Sequence, residues 1–129
     1  MKNQSDDLSK LLTSLKNEDY CYLTTTGRVT GNPHEIEIWF GLNDMTLYLM
    51  SGGRDKSDWV KNLLKQSSVT VRIAKHTFNA TAHIVKDEVE EMLARNMLAD
   101  KYKERESDGS LSEWAQSALV IGIDLIQGA

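Results

Sequence analysis

The chain has 129 residues, 40% of them hydrophobic and 26% charged, with a formal net charge of -4. That is enough chain for one domain with a core of its own, without disulfide or metal staples. It excludes a collagenous or disordered chain and argues against a sequence-independent grip on nucleic acid, which needs a basic face. Cys21 is the single cysteine, so neither an internal disulfide nor a CxxC site is available. The three histidines, His34, His76 and His83, show no ligand-like spacing, so no metal site is expected. The first residues are too polar for a signal peptide, and no apolar run is long enough to span a bilayer. A cytoplasmic domain is the resulting expectation.

Residues 5–16 read as an amphipathic helix with Ser5 as cap and Leu8, Leu11, Leu12 and Leu15 on one face. Residues 20–26 (YCYLTTT) are aromatic and β-branched, hence a strand. Residues 34–40 (HEIEIWF) alternate, with Ile36, Ile38 and Phe40 on one side and Glu35, Glu37 and Trp39 on the other. Glu35 and Glu37 match the spacing of a proton-poising carboxylate pair, but a solvated strand face is the plainer reading. A turn at Asn43 and Asp44 leads to a strand over 45–50. A helix follows the loop 51–58, with Trp59, Val60, Leu63 and Leu64 as its apolar side. Strands are expected over 68–74 and 77–85 around a turn at Lys75 and His76. The longest helix is expected from Asp87 to about Arg105, with Val89, Met92, Leu93, Asn96 and Met97 along its packed side. Residues 107–110 (SDGS) break it, a helical turn carries Trp114, and 118–125 (ALVIGIDL) close as a buried strand. Trp114 reads as core, with a lid over a groove as its other possible role. Hairpin-length connections favour an antiparallel sheet, and six short strands suggest a barrel that leaves no sticky edges. The fold expected is mainly β with peripheral helices (α+β): a six-stranded antiparallel barrel.

Two loops carry chemistry. The first, TTTGRVTGNPH over 24–34, combines Gly27 and Gly31 with Arg28, Thr26 and Thr30. An arginine gives a bidentate contact to phosphate, the hydroxyls donate, and the turn's own amides can form an anion nest. The second, SGGRDKSDW over 51–59, places Ser51, Gly52 and Gly53 before Arg54 and Lys56 at a helix N-terminus. Neither loop has the spacing of a P-loop or of GxGxxG. Plain turn chemistry and a solvated connector are the alternatives.

Together the loops resemble the deazaflavin (F420)-dependent nitroreductase family of the split β-barrel superfamily, which includes the pyridoxamine-phosphate-oxidase-like and flavin-reductase-like proteins. The matching stretches are Thr24 to Pro33, then Ser51-Gly52-Gly53, Trp59-Val60-Lys61-Asn62-Leu63 and Val69-Thr70-Val71. The resemblance implies a six-stranded split barrel over residues 1–129. Residues 1–18 form an N-terminal helix, 20–86 the barrel core with its cofactor loops, and 87–129 the C-terminal helix and closing strand. It implies coenzyme F420 as cofactor, with FMN as the alternative, and hydride transfer to a quinone, nitro compound or similar unsaturated acceptor. A non-enzymatic flavin, deazaflavin or small-ligand binder is the rival reading.

By position, the resemblance places Arg28 and Thr30 on phosphate beside Gly27. Ser51, Gly52 and Gly53 would lie along the ring edge, and Arg54 and Lys56 toward the phosphate or the tail. Trp59 and Asn62 would form the cofactor wall. No catalytic acid is assigned; His34 and Tyr102 are the candidates for a proton donor. The chain departs from many relatives in having Val29 where a lysine follows the arginine, and in the acidic run after the proline. The implied partners are a small-molecule acceptor and a second copy in a homodimer, with no nucleic acid and no membrane segment.

Overall fold

A computed structural model describes residues 4–126. In chain order the elements are α1 (Gln4–Leu15), β1 (Cys21–Thr26), β2 (Pro33–Ile38), β3 (Gly41–Asn43) and β4 (Thr46–Ser51), then α2 (Asp58–Lys65), β5 (Ser68–Ile73), β6 (His76–Ile84), α3 (Glu88–Tyr102), α4 (Glu113–Ser117) and β7 (Leu119–Leu125). A short 3-10 turn, Arg54–Lys56, precedes α2. The strands form one sheet in the order β2-β1-β5-β6-β7-β4-β3, and every pairing is antiparallel.

Seven strands stand where six were expected. The alternating stretch after His34 does not run on as one strand. β2 pairs with β1 from Thr26↔Pro33 to Cys21↔Ile38. Two residues later β3 pairs with β4 from Gly41↔Tyr48 to Asn43↔Thr46. These two strands occupy opposite edges of the sheet, yet only Trp39 and Phe40 separate them. Three residue steps reach at most about 11 Å. The sheet must therefore curl until its edges meet at Trp39 and Phe40, which is how the two edges are managed.

The curl creates two cores. Inside it, Leu23, Leu47, Leu49, Val71, Ile121 and Ile123 pack with Leu12 and Leu15 of α1 and with Val60 and Leu63 of α2. Outside it, Tyr48, Met50 and Val120 pack under Ala94 and Leu98 of α3. β4 thus serves both cores with alternate residues, so it reads as a continuous apolar run rather than an alternating one.

Three packing expectations are corrected. Val89, Met92 and Leu93 are exposed, and α3 instead buries Ala94, Arg95, Leu98 and Ala99; of the expected stripe, Met97 packs on the outer core. The face is set by Arg95, which donates to the Ala115 carbonyl at 2.9 Å and to Glu91 at 2.8 Å. This buried cation ties α3 to α4, and a stripe drawn from apolar residues alone misses it. In α2, Leu64 is exposed and Asn62 is buried. The β5–β6 turn falls one residue early, with Ala74 in the left-handed region at φ 54°. α3 starts where expected, with Asp87 capping it by accepting from Glu90 N–H, but it ends at Tyr102, short of Arg105, because Lys103 turns into the left-handed conformation. Ser5 lies within α1, not before it.

Candidate functional site

The first loop folds back on α2. The Arg28 guanidinium donates through Nη1 to Asn62 Oδ1 at 2.9 Å and to the Asp58 carbonyl at 3.4 Å. Through Nη2 it donates to Asp58 Oδ1 at 3.1 Å. Its backbone N–H also reaches Asn62 Oδ1, at 3.2 Å, while Asn62 Nδ2 donates to Thr25 Oγ1 at 3.2 Å. Lys65 Nζ closes the clamp on the Arg28 carbonyl at 2.9 Å. Asn62, only 4% exposed, is thus the buried post on which the loop hangs.

This geometry revises the nest expected in that loop. Gly27 N–H donates to the Asn32 carbonyl and Gly31 N–H to the Gly27 carbonyl. Asn32 N–H is held by Thr30 Oγ1, and Arg28 N–H by Asn62. These four amides are spent within the fold, so an anion here must be held mainly by side chains. Gly27 lies under His34, whose Nε2 would stand 2.6 Å from an added Cβ. Gly31 needs its positive φ of 78°. Gly27, Arg28, Thr30, His34, Asp58 and Asn62 all line one small surface pocket.

The second loop is braced from within. Ser51 is buried; its hydroxyl donates to the Arg54 carbonyl at 2.9 Å and meets Ser57 Oγ at 2.7 Å. Ser57, at the N-cap of α2, therefore makes no side-chain cap bond. A Cβ on Gly53 would sit 2.5 Å from Ser57 Oγ. Arg54, at φ 55°, donates to the Ser117 carbonyl and so ties the loop to α4. Lys56 is exposed. Trp59 packs against the inner core. Ser51, Gly53, Trp59 and Asn62 are thus tied into the fold's own contacts, while Arg28, Thr30, Gly52 and Lys56 keep surface to offer a ligand.

Gly52 opens onto a second feature. An added Cβ there would stand 3.5 Å from Trp114 Cδ1. Trp114 stands edge-on to Trp39, with ring centroids 5.5 Å apart at 88°. Trp39 in turn stacks on Tyr102 at 4.2 Å and 4°. Trp39, Trp114, Met50 and Tyr20 wall an open groove of about 450 Å³, with Glu37 and Glu104 also on its lining. From sequence Trp114 reads as core or a lid, and Trp39 as part of the Glu35–Glu37 face of a strand. Their meeting across 75 positions in the chain has no local signal, and neither does the pairing of Arg28 with Asp58.

Tyr102 is placed as a positioning residue rather than a free acid. Its hydroxyl accepts from Phe40 N–H at 2.9 Å, and its proton faces the carbonyls of Asp19 and Phe40. Burial pushes its pKa up to about 12. It holds the Trp39-Phe40 link where the sheet edges meet. His34 remains exposed beside the first loop.

The donor set suits an elongated ligand with a phosphate and a planar ring. The three guanidinium bonds of Arg28 leave donors on Nε and Nη2. Gly52 is exposed and borders Trp114 at ordinary contact distance. Among the described residues no group of three acidic, histidine or cysteine side chains could hold a metal, and no helix is long and apolar enough to cross a membrane.

Comparison with solved structures places this architecture. A conserved hypothetical protein from Mycobacterium tuberculosis superposes with a TM-score of 0.71 at 17% identity, over 93% of this chain and 80% of the other. The heme storage protein HutZ from Vibrio cholerae gives 0.66 at 17% identity, over 98% and 93%. An F420-H2 dependent reductase gives 0.66 at 16% identity, over 82% and 94%. At such identities these likenesses carry the fold, a split barrel. No curated protein sequence matches the chain. The model of the F420H(2)-dependent quinone reductase family matches residues 2–110, and the chain therefore belongs to that family, as an oxidoreductase whose cofactor is coenzyme F420.

Proposed function

We propose that this protein passes hydride from reduced F420 to a quinone bound in the Trp39–Trp114 groove, with a nitro compound as a second acceptor of the same shape. The observation that carries the reading is the place of the Gly52 loop. At one end it runs through Ser57 into the Arg28–Asp58–Asn62 clamp. At the other it borders Trp114. One loop thus joins a cationic end to an aromatic end.

Bound reduced F420 supplies the hydride, and a proton completes the hydroquinone as the cofactor is oxidised. The chain's part is to bind, orient and exclude water. Arg28 and Thr30 would hold the phosphate, with Gly27 giving the close turn; Lys56 and Arg54 would face the charged tail. Gly52, beside Ser51 and Gly53, would let the ring approach the backbone. Asn62 acts at one remove by fixing Arg28, and Trp59 by seating α2. Trp39 and Trp114 would stack the acceptor against the ring. Neither candidate proton donor fits this reading: the Tyr102 proton is engaged by carbonyls, and His34 lines the clamp at the phosphate end rather than the acceptor groove, so the proton would come from solvent. The 129 residues would act as one domain in the cytoplasm, where the buried free thiol of Cys21 stays reduced. A homodimer is part of the same reading: the exposed Val89, Met92 and Leu93 on α3 give a second copy an apolar face.

The test is a fluorescence titration with F420, and separately with FMN, followed by menadione reduction under reduced F420. Binding of F420 with menadione turnover is the expected result. F420 binding with no turnover of any quinone or nitro compound would defeat the proposed reaction.

A further inference from the structure

We infer that Glu37 and Glu104 make the aromatic groove selective for charge, so that it accepts neutral or cationic planar acceptors and turns away anionic ones. This rests on the groove being the acceptor site. The walls are Trp39, Trp114, Tyr20 and Met50, and among the described residues the two glutamates are the carboxyl groups on its lining. Among the described residues no lysine, arginine or histidine lines it. An organic cation over an aromatic face is attracted by the ring quadrupole as well as by the carboxylates. An anion meets repulsion from both.

Both carboxylates are held in place. Glu37 Oε1 accepts from the Tyr22 hydroxyl at 2.8 Å, and the Tyr22 ring is itself covered by the Arg72 guanidinium at 4.1 Å. Glu104 Oε1 accepts from Ser112 Oγ at 3.0 Å. Its backbone is fixed on both sides, by N–H to the Ala99 carbonyl and by its own carbonyl to Ser112 N–H. The two come from different elements, β2 and the segment after α3, and both reach the lining, so the groove's charge is negative. Arg72, over the Tyr22 ring, and Lys101, at Phe40 and Tyr102, lie behind the groove's walls and not on its lining; Arg28 is in the clamp pocket, and Arg54 is turned to the Ser117 carbonyl. The anionic part of the cofactor and the acceptor would thus meet opposite potentials at the two ends of one loop.

The experiment measures binding of three naphthoquinones to the full chain by quenching of tryptophan fluorescence. One is neutral (menadione), one carries a sulfonate and one carries a trimethylammonium group. The expected order of affinity is cation, then neutral, then anion, with anion and neutral separated by on the order of tenfold at low salt. That gap should shrink as ionic strength rises, because the Debye length falls to about 3 Å at 1 M. Glu37→Gln and Glu104→Gln keep the size and an acceptor for Tyr22 and Ser112, so both variants should fold. Each should bring the anion closer to the neutral quinone, and the double variant should remove most of the gap. An order that ignores salt, or that survives the double variant, would overturn the inference. Because the readout is binding, the result stands whether or not turnover is seen, and turnover of menadione separately decides the reaction proposed above.

Discussion

At the residue scale, Arg28 does two jobs with one guanidinium. Three of its hydrogen bonds hold the first loop to α2, and donors on Nε and Nη2 remain for a ligand. Arg28→Ala should weaken F420 binding by about 1.5–3 kcal/mol, the range for hydrogen bonds to a charged group. The titration reads this directly, and a thermal melt of the same variant separates lost grip from a loosened loop. Unchanged affinity would take the first loop out of the site. Asp58 pairs with Arg28 at 3.1 Å, and Val29 adds no second cation, so this end is less positive than its glycines and arginine suggest.

Cys21 offers a prediction with a sign. Burial pushes its thiol pKa up to about 12. Between about pH 9 and 12 the unfolded chain releases a proton that the folded chain keeps, so stability falls with rising pH across that window. Lys101 works the other way: burial lowers its ammonium to about 8, so from about pH 8 to 10.5 its contribution to stability rises. The expected result is that urea midpoints of wild type fall relative to those of Cys21→Ala above pH 9. Equal slopes for the two would show that the thiol is not held protonated. The same burial makes Cys21 inert to thiol reagents in the native protein.

At the element scale, α3 shows how a stripe can be misread. Val89, Met92, Leu93, Asn96 and Met97 have helical spacing, but a helix with small residues on another face packs more closely there. Ala94 and Ala99 sit fully buried beside Leu98. Gly41 on β3 adds to the fit, since an added Cβ would meet Met97 Sδ at 2.6 Å and Leu98 Cδ1 at 2.8 Å. Leu98→Ala should therefore cost about 2–5 kcal/mol, while Val89→Ala should stay within about 0.5 kcal/mol. Chemical denaturation of the two variants decides which face carries the helix. A reversed order would restore the stripe drawn from spacing alone.

At the scale of the whole molecule, the meeting of the sheet edges organises everything else. Trp39 and Phe40 bridge the edges, Tyr102 and Lys101 hold that bridge from α3, and Trp114 meets it from α4. Lys101 Nζ donates to the carbonyls of Lys16 and Phe40, each at 3.0 Å, and lies 3.6 Å from the Phe40 ring centroid. The exposed face of α3 then becomes the candidate surface for a second copy. Analytical ultracentrifugation should show a dimer that Leu93→Glu shifts toward monomer. A monomer at all concentrations would leave that apolar face without a partner and remove the homodimer from the reading.

What the sequence determined by itself was local. Strands followed from alternation and β-branching, the start of α3 from Asp87, and turns from glycine and asparagine. All depend on neighbours a few residues apart. The family resemblance was local too, since it lay in two short loops and the strands beside them. Tertiary structure decided what depends on distant partners. It split the long alternating run at Trp39, because one strand cannot pair with β1 and β4 on opposite edges unless the sheet curls through it. It turned Asn62 inward, because Arg28 and Thr25 lie 34 and 37 positions away in the chain and converge on its amide. It gathered Trp39, Trp114 and the two glutamates into one groove, although each alone reads as packing or as a wet surface. Side-chain identity sets what a residue can do, and only the closing of the chain sets which others it meets.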